Sequence, residues 1–111
     1  MTKASSPLAE FEIHVMLAVT RLAGEAYGAR IRREIEERAG RRVSIGAVYA
    51  TLGRLEDRGL LNHVVSDPEP VRGGRARKLY QPTAGGSEAL RVATDMLLRM
   101  MDGVVFDRRG R

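Results

Sequence analysis

Apolar residues recur along this chain in two rhythms, and the switch between them divides it. Leu8, Phe11, Val15, Ala18 and Leu22 follow one another at three- and four-residue steps, the spacing of one stripe on an amphipathic helix. Ser6-Pro7 just before them supplies a cap candidate with proline at the first helical position. Ile13, Met16 and Leu17 add a second stripe, so this helix is expected to touch two neighbours. "AGEAYG" (23–28) reads as a turn, after which Ile31 and Ile35 point inward while Arg30, Arg32, Arg33, Glu34, Glu36, Glu37 and Arg38 stay in water. Gly40 ends this second helix. Ser44 caps a third, with Ile45, Val48, Leu52 and Leu55 as its buried stripe, Gly59 as its stop and Leu60 at the hydrophobic contact of a Schellman motif. The period then shortens to two. "LLNHVVS" and "ARKLYQ" read as strands joined by the nine residues "DPEPVRGGR", a loop longer than the usual two to five residues of a hairpin. Thr83 opens the last helix, whose stripe Leu90, Ala93, Leu97 and Met101 is widened by Val92, Met96 and Met100. So wide an apolar face exceeds what a one-sided surface helix needs.

Helix, helix, helix, strand, long basic loop, strand, helix is the order of a winged helix-turn-helix, in which one helix enters the DNA major groove and the neighbouring hairpin reaches backbone or minor groove. The fold class expected is therefore mainly α with a small β-hairpin, that is α+β, with a C-terminal helix for dimerisation. Residues 1–6 read as a tail, 7–82 as the DNA-binding domain, 83–103 as the dimerisation helix and 104–111 as a second tail.

Burying Ile45, Val48, Leu52 and Leu55 leaves Gly46, Ala47, Ala50, Gly53 and Arg54 on the other side of the third helix. Four of the five are Gly or Ala, where a solvated helix would carry Glu, Lys or Gln. A small-residue face admits a groove wall, with Arg54 to reach base edge or phosphate and Ser44, Tyr49 and Thr51 at the flanks; the other reading is that the first or last helix packs there. Arg72, Gly73, Gly74 and Arg75 are expected at the tip of the wing, and of Arg77 and Lys78, which alternate along a strand, at most one shares the DNA side.

Charge agrees with this placement. Lys and Arg number 19 against 14 Asp and Glu, a net +5, and the pI of 10.4 exceeds the value of about 9 that marks nucleic-acid binders. Because 17 of the 19 cations are Arg, the total weighs less than where the charge sits. No cysteine is present, which removes disulfides, thiolate metal sites and cysteine nucleophiles together. The acidic, helix-like start differs from a secretory signal, so a cytoplasmic protein without a membrane segment is expected. His14 and His63 stand apart without a partner at ligand spacing, Glu36 and Glu37 diverge by about 100° on a helix, and "RGGR" lacks the strand and helix of a phosphate-binding loop. Neither an enzyme nor a cofactor or metal site is expected.

The sequence also resembles the PadR family of bacterial transcriptional regulators, through "AYG" (26–28), "SIGAVYATLGRLEDRGLL" (44–61) and "RGGRARKLYQPTAGG" (72–86) in the family's order. The resemblance implies a homodimer on an inverted-repeat operator in double-stranded DNA, with the third helix and wing on the DNA. Pairing would run through the last helix (Leu90, Val92, Met96, Leu97, Met100, Met101) and the first (Ile13, Leu17). A repressor is expected on the resemblance alone, and any small-molecule effector is left unspecified. Two departures stand out. Pro82 replaces the aliphatic residue before Thr83 and is expected to end the strand early, and without Trp the aromatic drug-binding sandwich of some multidrug-responsive members does not carry over. The alternative function is a protein-interaction module whose basic wing takes an acidic partner.

Overall fold

The structure, a computed structural model, describes residues 7–67 and 76–107. In chain order the elements are α1 (Glu10–Arg21), α2 (Gly28–Ala39), α3 (Ile45–Asp57), β1 (Leu61–Val65), β2 (Lys78–Pro82) and α4 (Ala84–Met101). Four helices and one antiparallel hairpin make the α+β winged-helix arrangement expected from the pattern.

The first helix starts later than Ser6-Pro7 suggests. Ala9 holds the cap position, and because alanine has no capping oxygen the end is closed from within: the Ala9 N–H donates to Glu12 Oε1 at 2.8 Å. Glu10 and Glu12 in the first turn also suit the positive end of the helix dipole. Leu8 lies before the helix, yet its side chain is buried. Helix α1 is the hub, in contact with α2, α3, β2 and α4. Val15, Met16 and Val19 from it meet Ile31 and Ile35 of α2 and Val48, Leu52 and Leu55 of α3, and all eight are buried. Ile45 was expected among them. It is partly exposed because it occupies the first position of its helix, ahead of the turn that faces the core.

Glu34 corrects the expectation that every charged residue of the second helix stays in water. Its side chain is only 10% exposed and ion-paired with Arg38 (2.7 Å), Arg30 (3.2 Å) and Arg21 of α1 (3.7 Å). The hydrogen bond from Arg38 holds its carboxyl below the usual carboxylate range, against the opposing effect of desolvation. A second ion pair, Glu12 with Arg58 at 3.2 Å, ties α1 to the end of α3, with both side chains largely buried.

Chain ends follow the predicted chemistry. Gly40 closes α2 in the left-handed conformation at φ 66°, and Ser44 Oγ accepts from the Ala47 N–H at 3.0 Å to cap α3. At the far end of α3 the Leu60 N–H reaches Leu55 O and the Gly59 N–H reaches Glu56 O, each 2.9 Å, the paired bonds of a Schellman motif. Leu60 is buried beneath it.

The strands pair Leu61 with Pro82 through Val65 with Lys78. Pro82 was expected to cut β2 short, but the strand includes it. The Tyr80 N–H points away from β1 and donates to Ala26 O at 2.9 Å. Two residues on, the ring nitrogen of Pro82 also faces that outer side, so no ladder bond is lost. The Thr83 N–H then closes on Leu60 O at 3.1 Å. Thr83 Oγ1 caps α4 by accepting from Gly86 N at 2.9 Å and donates to Gly59 O at 2.7 Å. Along α4 the packing thins out. Gly86 and Leu90 are buried and Ala89 and Ala93 half-buried, whereas Val92, Met96, Leu97, Leu98, Met100 and Met101 are exposed.

Candidate nucleic-acid interface

Among the described residues nothing covers the outer side of α3. Ser44, Gly46, Ala47, Ala50 and Arg54 are exposed, and a Cβ built on Gly46 or on Gly53 would meet nothing within 4 Å. Within the chain, neither α1 nor α4 packs there. The face is shallow in its middle and carries larger groups at its borders, Arg54 toward one end and Tyr49, half-exposed, along one side.

Thr51 departs from expectation. Placed on a flank by the helical count, it is buried, and its hydroxyl oxygen accepts from Arg54 Nη2 at 3.0 Å. Its part is to hold Arg54, not to meet a ligand itself. The three-residue spacing of Thr51 and Arg54 was there to be read as a pair on one helix surface.

The start of α2 joins this surface, which the sequence reading missed. The Tyr49 ring lies over Gly28, so that a Cβ there would sit 2.5 Å from Cζ and Oη. One residue earlier, Tyr27 receives the guanidinium of Arg77 over its ring at 4.1 Å, within cation–π range. Arg77 is thus drawn toward the α2 end of the interface, while Lys78 beside it is exposed on β2. The signal in the sequence was the aromatic residue preceding Gly28. Arg72, Gly73, Gly74 and Arg75, the predicted tip of the wing, lie outside the described residues.

Behind α3 the hairpin is fixed by polar contacts. His63 Nδ1 of β1 lies 2.5 Å from Glu56 Oε2 of α3, and the rings of His63 and Tyr80 are 5.4 Å apart. Burial, and then the charge of Glu56, push the Tyr80 hydroxyl above its ordinary range. These groups join α3 to the hairpin. Among the described residues no group of three or more His, Asp or Glu could hold a metal ion, and no helix is long and apolar enough to cross a membrane.

The residues expected to pair two copies divide into two sets. Leu90 is buried in its own protomer and Ile13 half-buried against the same core, so both are already used in the fold. Leu17, Val92, Met96, Leu97, Met100 and Met101 remain exposed, by 44% to 74%. Elsewhere on α4, Arg91 bridges Glu88 and Asp95, the latter at 2.8 Å, which satisfies the polar side; among the described residues nothing covers the apolar one.

A three-helix unit with an exposed small-residue helix and a hairpin locked against it defines a winged helix of the gene-regulatory kind. Residues 16–92 match the transcriptional regulator PadR-like family, and the chain belongs to it. It is 47% identical over 66 residues to the transcriptional regulator Rv3488 of Mycobacterium tuberculosis, a match covering 60% of this chain and 57% of that protein's length. A PadR family transcriptional regulator from Eggerthella lenta DSM 2243 is 27% identical with a TM-score of 0.64, over 80% of this chain and 75% of that one. Bacillus subtilis PadR in complex with operator DNA shares the fold, with a TM-score of 0.63 at 19% identity over 91% of this chain and 55% of that one.

Proposed function

We propose that the protein is a sequence-specific DNA-binding regulator that acts as a homodimer on an inverted-repeat operator and represses transcription there. The observation that carries this reading is the uncovered small-residue face of α3, with Arg54 held at its border by Thr51. Gly46, Ala47, Ala50 and Gly53 let the helix backbone come close to a groove wall, and Arg54 then lies within reach of a guanine edge or a phosphate. Arg77, held over Tyr27, would then supply a cation to the DNA backbone, and Arg72 and Arg75 of the sequence's basic loop would add to it.

The exposed apolar side of α4 supports a dimer. Two copies related by a twofold axis present two α3 helices, and an inverted repeat with half-sites about 34–36 Å apart is the matching DNA. Repression is the regulatory sense that the family relationship supports, through occupancy of a promoter.

The test is a mobility shift with a palindromic fragment from the region upstream of the protein's own coding sequence, titrated in salt. Specific binding that weakens linearly in log–log form is expected, with a slope of about −0.9 per phosphate neutralised. A reporter driven from that fragment should be silenced by the intact protein. Failure of every upstream palindrome to shift, together with capture of an acidic protein by the basic loop, would replace this reading with the protein-interaction one.

A further inference from the structure

A groove of about 590 Å³ opens between α1 and α2, on a side of the molecule that the DNA-binding reading does not use. Leu17 and Ala18 of α1 and Ile35 and Ala39 of α2 form its apolar lining. Arg21 and Arg38 stand in the same lining, and with Arg30 they place three guanidiniums around the single carboxylate of Glu34. The groove therefore carries an excess of positive charge beside an apolar floor. His14, also in the lining, has a buried Nδ1 with no hydrogen-bond partner, the one such side-chain atom among the described residues. An occupant that fits is apolar in its middle, acidic at its ends, and able to offer a hydrogen bond to an imidazole.

The chain contains such a segment. After α4, Val104, Val105 and Phe106 are exposed by 51%, 92% and 55%, with Asp102 before them and Asp107 after. Residues 104–107 belong to no helix or strand. Leu17 lies both in the groove and on the face assigned to pairing, which makes the two surfaces continuous.

We propose that residues 102–107 of one protomer seat in the α1/α2 groove of a second copy, with the apolar side chains on Leu17, Ala18, Ile35 and Ala39 and the Asp102 carboxylate toward Arg21 and Arg38. This rests on the reading that the chain dimerises. Each protomer then receives the other's C-terminal segment, and the pairing face extends past α4 to the outer side of α1 and α2.

The absence of cysteine makes the test direct. Tagged Ala39→Cys and untagged Val105→Cys full-length chains are mixed, allowed to exchange subunits, and treated with a short bismaleimide. A product containing one chain of each kind is expected. Sedimentation equilibrium of the unsubstituted protein is run alongside. If it is a dimer and the mixed product does not form, or if a chain carrying both cysteines links only within itself, the proposed seat is overturned while dimerisation stands; a monomer overturns both. As a second arm, Val105→Asp with Phe106→Asp should weaken dimerisation at least tenfold with an unchanged far-ultraviolet spectrum. An unchanged dissociation constant would also reject the seat.

Discussion

The ring of Tyr49 rests on the Cα of Gly28, and this contact joins α3 to the first turn of α2. Gly28→Ala brings a methyl group against the far end of the ring. Because that end swings on a flexible side chain, Tyr49 should turn away without the fold giving way, and alanine suits a helix better than glycine by up to about 1 kcal/mol. The expected result is a melting temperature equal to or above that of the parent, an altered tyrosine emission in a protein without Trp, and weaker operator binding. Unaltered DNA affinity would show that the position of Tyr49 is immaterial to recognition.

Thr51 and Arg54 should behave as a unit. Arg54→Ala is expected to cost on the order of 1–3 kcal/mol in operator binding and to relax preference at one base position. Thr51→Val keeps the buried shape but deletes the hydroxyl that accepts from Arg54, so it should cost less, and nothing further in the Arg54→Ala background. A double-mutant cycle in a binding titration measures the coupling.

Ala50 is exposed on the small-residue face, and Ala50→Glu should abolish specific binding with little change in thermal stability. A collapse of the melting temperature would mean that something packs there in the protein as it exists in solution.

Gly85 and Gly86 are neighbours with opposite surroundings. A Cβ at Gly86 would collide with the main-chain carbonyl of Leu60, whereas at Gly85 the nearest atom is Thr83 Oγ1 at 3.8 Å. Gly86→Ala should therefore destabilise by about 1–3 kcal/mol or more through overpacking, and Gly85→Ala should be neutral or stabilising by up to about 1 kcal/mol. Urea unfolding of the two variants side by side checks the contrast.

The Glu34 cluster predicts an acid-sensitive component of stability. A carboxyl held below its usual range by Arg38 and Arg30 contributes stability that is full above the ordinary carboxylate pKa and is lost as pH falls through the depressed one. Glu34→Gln should lower the melting temperature near neutral pH and flatten its decline in acid. A parallel decline in both proteins would assign the acid sensitivity to other carboxylates.

Much of this architecture was legible because its local signals agree. Ser44, Gly40 and Thr83 are caps whose chemistry acts within three or four residues, and each closes its helix as the sequence implies. What escaped depends on distant partners. Glu34 looks like one more charge in a solvated run until Arg21 arrives from another helix, and Thr51 looks exposed until the core closes over it. Pro82 misled because the rule against proline concerns which edge its nitrogen faces, and only the register with β1 decides that. The uncovered side of α3 was legible because the helical period sets which residues oppose the buried stripe, and small residues in sequence remain small in space. Arg77 on Tyr27 joins residues fifty positions apart, and no periodicity could have paired them.

Leu60 sits where three elements change direction. Its N–H closes the end of α3, its carbonyl receives the N–H of Thr83, and the backbone of α4 at Gly86 bears on that same carbonyl. The corner is made of main-chain atoms, which cannot yield by changing rotamer as a side chain would. A shift of α4 at Gly86 therefore meets the same carbonyl that follows the end of α3, so the two helix ends are expected to move together.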